Sequence, residues 1–247
     1  LQHQDGTSHV VAATNPNCRA YDPAFAGELA VILDHGMRQM MERQVDEFYY
    51  VTVMNENYAQ PSLPEGAAEA IVRGGYRFAA FDGGQGRVRL LGSGTILREA
   101  LGAAELLAAD WGVGSEVFSI TSFSELARDA REVERWNRLH PLAPARTSHV
   151  ATLLAGDVPI VAASDYVRAY AELVAPYVQA PFTALGTDGF GRSDTRRALR
   201  RFFEVDRHHI TVAALAALAE TTGGRERLES ALARYGIDRD AAPPWTR

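Results

Sequence analysis

Lysine is absent from this chain and cysteine nearly so. All 25 basic charges among the 247 residues are arginine, and Cys18 is the single cysteine. One cysteine excludes an internal disulfide and a cysteine-based zinc site, and such sparing use is typical of the reducing cytoplasm. We interpret the lack of lysine as a codon bias and attach no mechanism to it.

Clustered positive charge and long apolar runs are also missing. The formal net charge is −6, and no basic run exceeds two residues. A nucleic-acid surface needs clustered positive charge, so that class of partner is excluded. The longest aliphatic run, from Ile210 to Ala219, falls short of the ~20 residues of a membrane span. The chain begins at Leu1 without a signal-like segment, and we expect a cytoplasmic piece of something longer.

The composition is that of a folded globular protein, with 47% hydrophobic and 23% charged residues. Asp22-Pro23 predicts a helix start, with Asp22 as N-cap and the helix running to about Arg43. We expect its methionines, Met37, Met40 and Met41, to fill the core. A buried strand is predicted over residues 47–54.

A proline- and glycine-containing segment, residues 55–66, is the best linker in the chain. It predicts two domains, residues 1–60 and 61–247. In the second, residues 76–81 and 87–91 flank a turn and suggest a hairpin. Short apolar strands then alternate with helices, which predicts an α/β fold with a mixed, mostly parallel sheet covered by helices on both faces.

The first nine residues contain the highest concentration of side chains that could take part in catalysis. His3, Asp5 and His9 lie in one irregular loop, and an imidazole can exchange a proton near neutrality. Taken alone, these residues favour a solvated loop over an active site by about two to one. A helical HExxH metal motif is absent, so no metal ligand is predicted.

Two glycine-rich loops offer another possibility. Residues 92–95 (GSGT) and 186–194 (GTDGFGRSD) each follow a strand and precede a helix. Free amides at such turns can hold an anion. The structural alternative is a tight strand-to-helix turn, with Ser193 capping the helix after the second loop.

Eight stretches occur in an order that closely resembles one enzyme family: LQHQDGTSH, NPNCRAYDPAF, YYVTVMNENYAQP, LLGSGTILRE, SITSFSELARD, VERWNRLHP, LGTDGFGRSDTR and FFEVD. The family is the homodimeric type of the pyruvate dehydrogenase first component, a thiamine-diphosphate enzyme of the transketolase superfamily. The resemblance covers its C-terminal third. It implies that residues 1–60 are the tail of the pyrimidine-binding domain and that residues 61–247 are a transketolase-type C-terminal domain.

The resemblance also implies a reaction and a catalytic residue. The family decarboxylates pyruvate oxidatively and transfers the acetyl group to lipoamide on the dihydrolipoyl acetyltransferase. By resemblance His3 is the active-site histidine, and its expected task is proton transfer. The family motif has glutamate where Gln4 stands and histidine where Thr7 stands, so this chain lacks a carboxylate and a second imidazole beside His3.

The superfamily's magnesium–diphosphate motif, a Gly-Asp-Gly followed by Asn, does not occur in this sequence. We therefore expect thiamine diphosphate and Mg²⁺ to be bound mainly by residues outside this chain, and the chain alone to be inactive. The missing residues belong to an N-terminal part or to a partner subunit, in a homodimer or a heterotetramer.

Two other functions remain open on the sequence. The chain could be one subunit of a split thiamine-diphosphate enzyme that acts on another 2-oxo acid, as Gln4 and Thr7 suggest. It could also be a non-catalytic dimerisation or anion-sensing module, as the two glycine-rich loops suggest.

Overall fold

The computed structural model describes residues 5–222 and 224–246 and contains two sheets. The strands are β1 (Cys18–Tyr21), β2 (Phe48–Val51), β3 (Tyr76–Phe81), β4 (Arg87–Gly92), β5 (Gly114–Ser119), β6 (Ile160–Ala163) and β7 (Phe182–Leu185). β1 and β2 form a parallel pair in which Cys18 lies opposite Phe48. The other strands form a five-stranded sheet in the order β3-β5-β4-β6-β7. Only β3 is antiparallel to its neighbour, so the predicted mixed, mostly parallel sheet is confirmed.

The helices cover both faces of this sheet. They are α1 (Ser8–Ala12), α2 (Ala26–Met37), α3 (Ala68–Val72), α4 (Leu97–Trp111), α5 (Phe123–Leu139), α6 (His149–Leu153), α7 (Arg168–Glu172), α8 (Arg196–Phe202), α9 (Arg207–Thr222) and α10 (Arg225–Tyr235). Among the described residues, no helix is both long and apolar enough to cross a bilayer.

Both faces of the central strands are buried because successive side chains of a strand point to opposite sides. Leu90 packs with α4 and α9, whereas Leu91 packs with α5 and α7. The same alternation separates Val117 from Phe118 in β5. Continuous apolar runs are therefore compatible with these strands, as is usual for a parallel sheet covered on both faces.

The predicted hairpin is wrong. β5 lies between β3 and β4 and pairs with both of them. The turn after β3 instead lies in close contact with the start of β5. A Cβ atom on Gly83 would lie 2.2 Å from the backbone nitrogen of Gly114. The loop after β3 thus passes directly over the start of β5, which only a glycine permits.

The predicted N-cap at Asp22 is also wrong, because α2 begins at Ala26. The carboxylate of Glu28, one turn into the helix, accepts hydrogen bonds from the backbone N–H groups of Ala24 (2.6 Å) and Phe25 (3.1 Å). It satisfies the free amides that Asp22 was expected to satisfy. The helical path otherwise ends near the predicted residue, with a π-helical turn at Arg38–Glu42.

The expected burial of the methionines fails for Met37 and Met41, whereas Met40 is half-buried. Met37 is 57% exposed and Met41 is 72% exposed. Together with the exposed Leu33 they form an apolar stripe, spaced by four residues, on the solvent side of α2 and its π-helical turn. We call Leu33, Met37 and Met41 the methionine stripe.

Two predicted helix boundaries are confirmed, and the third has a different capping residue. The sequence Ser122-x-x-Glu125 is a capping-box pattern that predicts a helix start, and the hydroxyl of Ser122 indeed accepts a hydrogen bond from the backbone N–H of Glu125. A glycine directly after a helical segment predicts the end of the helix, and Gly236 ends α10 in the left-handed conformation. Ser193 does not cap α8, because the side chain of Thr195 accepts from Ala198 instead.

Candidate functional site

The loop that carries the predicted catalytic residue can be followed from Asp5 onward. His3 itself lies outside the described residues 5–222 and 224–246. The carboxylate of Asp5 accepts hydrogen bonds from the backbone N–H and the hydroxyl of Ser8, at 3.0 and 2.5 Å, and so begins α1. The carbonyl of Gly6 accepts from the N–H of Val167, after β6. The loop is thereby fastened to the C-terminal edge of the large sheet.

His9 is fully buried in a cage of aromatic rings. Its imidazole stacks on Tyr170 at 4.8 Å and meets Tyr166 and Tyr50 edge-on at 4.5 and 5.4 Å between ring centroids. Burial lowers the pKa of His9 to about 4, although the charge of Asp5 opposes this shift. The imidazole is therefore neutral near pH 7 and anchors the loop through packing.

A chain of two hydrogen bonds connects His9 to a buried carboxyl group. Nε2 of His9 lies 2.9 Å from the hydroxyl of Thr52, which in turn donates to Oδ1 of Asp22 over 2.8 Å. Asp22 is 1% exposed, and its Oδ2 has no hydrogen-bond partner among the described residues. Burial raises the pKa of Asp22 to about 7, against the effect of the hydrogen bond from Thr52.

Asp22 also packs into the turn of the first glycine-rich loop. Its backbone carbonyl accepts from the N–H of Gly94 at 2.9 Å. Gly94 has a φ of +50°, and a Cβ atom there would lie 2.6 Å from the Asp22 carboxylate. The turn at 92–94, which the sequence offers as an anion site, is thus filled by a carboxyl group of the same chain.

The second glycine-rich loop borders a cavity of about 490 Å³. Asp5 lies at this cavity together with Thr95 and Asp165, which follow β4 and β6, and Thr187, which follows β7. Residues 5–7 and both glycine-rich loops therefore meet at one edge of the sheet. The irregular loop predicted for the first nine residues is shorter than expected, because His9 lies in α1.

Sequence reasoning missed His9, Thr52 and Asp22 as a connected group. Asp22 carried a recognisable signal, Asp-Pro before an apolar periodic segment, but that signal indicates a helix cap. Residues 9, 22 and 52 come together only because α1, β1 and β2 pack against the end of the large sheet, and no local pattern encodes that contact.

A metal centre does not arise from these residues. In the described parts of the chain, no group of three or more histidine, cysteine, aspartate or glutamate side chains could hold a metal ion. Cys18 is buried, and burial raises the pKa of its thiol, which disfavours a nucleophilic thiolate.

The buried pair predicts an unusual pH dependence of stability. Between pH 6.5 and about 4, His9 binds a proton only in the unfolded chain, so its contribution to the free energy of unfolding falls as the pH falls. Between pH 3.8 and about 7, Asp22 holds its proton only in the folded protein, so its contribution falls as the pH rises. The two dependences oppose each other and largely cancel in the unaltered protein.

A substitution at either residue should therefore reveal the pH dependence of the free energy of unfolding that the other residue contributes. We expect His9→Gln to lose stability as the pH rises from 4 to 7, and Asp22→Asn to lose it as the pH falls over the same range, each by at most roughly 3–4 kcal/mol relative to the parent. Urea unfolding midpoints of the full-length protein at several pH values measure this. Equal slopes in both variants would contradict the assignment.

Comparison with known proteins gives family matches over most of the chain. The family of transketolase-like TK C-terminal domains matches residues 74–206. The family of pyruvate dehydrogenase E1 component middle domains matches residues 1–61.

Curated relatives are similar over the whole chain. The sequence is 50% identical over 250 residues to a pyruvate dehydrogenase E1 component from Cupriavidus necator. It is 52% identical to the corresponding protein of Pseudomonas aeruginosa and 49% identical to that of Escherichia coli. These alignments cover 99–100% of this chain and 28% of each relative.

Solved structures share the fold at low sequence identity. A transketolase from Pichia stipitis in complex with sedoheptulose 7-phosphate superposes with a TM-score of 0.64 and 16% identity, over 90% of this chain and 28% of its own length. A split-gene transketolase in an inactive β4 tetramer gives a TM-score of 0.55 and 17% identity, over 88% of this chain and 63% of its own.

Proposed function

The chain belongs to the family of transketolase-like C-terminal domains, and on that basis we propose that it forms the C-terminal segment of a pyruvate dehydrogenase E1 component. The enzyme would decarboxylate pyruvate oxidatively and pass the acetyl group to lipoamide on a dihydrolipoyl acetyltransferase. In this proposal, residues 1–60 complete a pyrimidine-binding domain and residues 61–247 form the domain that follows it.

One observation carries this proposal: about half of the residues are identical to E1 components along the entire chain. The chain spans 28% of the length of those relatives. The methionine stripe supports the same conclusion, because an apolar stripe on a helix is commonly covered by another part of a larger protein. We propose that the remainder of the enzyme, or a partner subunit, packs against it.

His3 is our candidate for the catalytic acid–base group, and it would move a proton to or from the reacting oxygen of the substrate. Three contacts hold the loop that follows it: the Asp5–Ser8 hydrogen bonds, the Gly6–Val167 bond and the aromatic cage of His9. A proton-transfer group needs such positioning, because its rate contribution depends on geometry.

We propose that thiamine diphosphate and Mg²⁺ are bound mainly by residues outside this chain. The described side chains offer no cluster that fits a magnesium site, and we assign them no step on the cofactor. The proposal also includes a dimeric enzyme in the cytoplasm.

The test uses the full-length protein that contains this chain. With thiamine diphosphate, Mg²⁺ and lipoamide, we expect pyruvate to be decarboxylated and acetylated lipoamide to form. A branched 2-oxo acid, 2-oxoisovalerate, serves as the control substrate and should react much more slowly.

Two outcomes would contradict this function. Preferred turnover of 2-oxoisovalerate would favour an enzyme for another 2-oxo acid. An assembly that binds no thiamine diphosphate would favour a non-catalytic module.

A further inference from the structure

The cavity of about 490 Å³ lies where a ligand site is expected in this topology. From β4 the chain crosses to β5 on one side of the sheet, and the later strand β6 pairs with β4 on the other side. Ligands of open α/β sheets bind outside the carboxyl ends of the strands at such a reversal of strand order. Thr95 follows β4, Asp165 follows β6, and both line the cavity.

The cavity size and its apolar wall suit a small organic molecule. Volumes of about 300–1,000 Å³ are typical of ligand pockets. Met54, Leu199, Phe203 and Val205 provide the apolar surface. The remaining lining is polar and contains three arginines from the second glycine-rich loop and α8.

These arginines differ in how far their charge is already neutralised. Arg200 pairs with Glu56 at 2.5 Å and with Glu99 at 3.4 Å. Arg196 contacts Asn55 and lies 3.7 Å from Glu56. Arg192 only stacks over the ring of Phe202, at 4.1 Å, and no carboxylate in the described parts of the chain lies within ion-pair distance of it. Its guanidinium is therefore available to an incoming anion.

Two hydroxyl groups on the wall formed by the strand ends already donate their protons to Asp165, so the charge of Arg192 is the main attraction for an anion. The hydroxyl of Thr95 donates to Oδ2 of Asp165 at 3.3 Å. The hydroxyl of Thr187 donates to the backbone carbonyl of Asp165 at 2.5 Å. Burial raises the pKa of the Asp165 carboxyl, although the nearby charge of Arg200 opposes the shift.

We propose that this cavity binds a small organic anion, with a carboxylate or phosphate group on the Arg192 guanidinium and an apolar body against Leu199 and Phe203. Arginine suits both anions because its planar fork can form two parallel hydrogen bonds. The inference goes beyond the proposed function, since it concerns binding alone and requires no turnover. The first glycine-rich loop contributes only Thr95 to the cavity wall, and the second contributes Arg192.

Calorimetry on the full-length protein tests the site, with phenyl phosphate and phenylacetate as the two probes. Benzyl alcohol is the neutral comparator. We expect at least one anion to bind saturably at one site per chain and benzyl alcohol to bind more weakly. The anion that binds more tightly distinguishes a phosphate ligand from a carboxylate ligand.

Arg192→Gln should weaken binding of the anion by about tenfold or more, because it removes a charge-assisted hydrogen bond. Arg197→Gln is the matched control, since Arg197 is exposed on α8 and does not line this cavity. It should leave the affinity unchanged. Leu199→Trp, which fills the apolar part, should weaken both probes.

The proposal is overturned if neither anion binds saturably, if benzyl alcohol binds as tightly as both anions, or if Arg192→Gln leaves the affinity unchanged. Circular dichroism of each variant verifies that it is folded. Binding is measured without pyruvate, so a failure here is distinguishable from a failure of the pyruvate dehydrogenase assay.

Discussion

Replacement of His3 by alanine in the full-length enzyme is expected to lower acetyl transfer from pyruvate to lipoamide by about 10²–10⁴-fold, the usual contribution of a positioned acid–base group. The substitution removes the only titratable group of the first four residues. Asp5, Gly6 and His9 keep their own contacts, so the fold of the following loop should persist.

A matched histidine provides the control. His140 is exposed at the end of α5 and stacks on Trp136, so His140→Ala should leave the rate unchanged. A proton-transfer role further requires that His3→Gln removes one limb of the pH profile of kcat, which a purely structural role would not do. Full turnover by His3→Ala would remove His3 from the mechanism.

Replacement of Glu28 by alanine should cause a large loss of stability. Glu28 is fully buried and accepts four hydrogen bonds: two from backbone N–H groups at the start of α2, one from Tyr76 at 2.8 Å and one from Ser119 at 2.5 Å. Tyr76 lies on β3 and Ser119 on β5, so one carboxylate joins α2 to the large sheet.

Removal of this carboxylate leaves four donors without their acceptor. We expect a loss of about 3–5 kcal/mol, because each buried unsatisfied group carries a desolvation cost. Guanidinium unfolding of the full-length protein measures the change. Glu132→Ala, at an exposed position of α5, is the control and should shift stability by less than about 0.5 kcal/mol.

Glu28→Gln refines the interpretation. It keeps the side-chain volume but replaces one acceptor oxygen with a donor amide, so its loss should be intermediate. If Glu28→Ala unfolded at the same guanidinium concentration as Glu132→Ala, the hydrogen-bonded junction would have no energetic importance.

The sequence predicted some elements well because their signals are local. The Ser122 cap and the Gly236 stop depend on hydrogen bonds between neighbouring residues. The apolar runs of β4, β5 and β6 predicted buried strands, and the alternation of strands with helices predicted the layered α/β architecture. The order of eight long motifs identified the family resemblance, and the comparisons confirmed it.

The errors arose where contacts with distant segments, or the lack of such contacts, outweighed the local pattern. The turn after β3 has the local sequence of a hairpin, but β3 pairs with β5, which lies some thirty residues later in the chain, and not with β4. The local sequence favours Asp22 as an N-cap, but its backbone carbonyl accepts a hydrogen bond from Gly94, and this contact places Asp22 in the interior. Met37 and Met41 match a core pattern, yet the described chain offers no surface to cover them.

The amino-acid sequence was enough to predict the class of fold and to locate the two glycine-rich loops, and the family resemblance points to His3 as the catalytic histidine. The three-dimensional contacts were needed to show that Asp22 fills one loop, that His9 is a neutral anchor, and that Arg192 lies beside a cavity with no carboxylate partner among the described residues. Helix and strand formation follows from residues a few positions apart, whereas burial and the pairing of charges depend on which distant segments come into contact when the sheet closes.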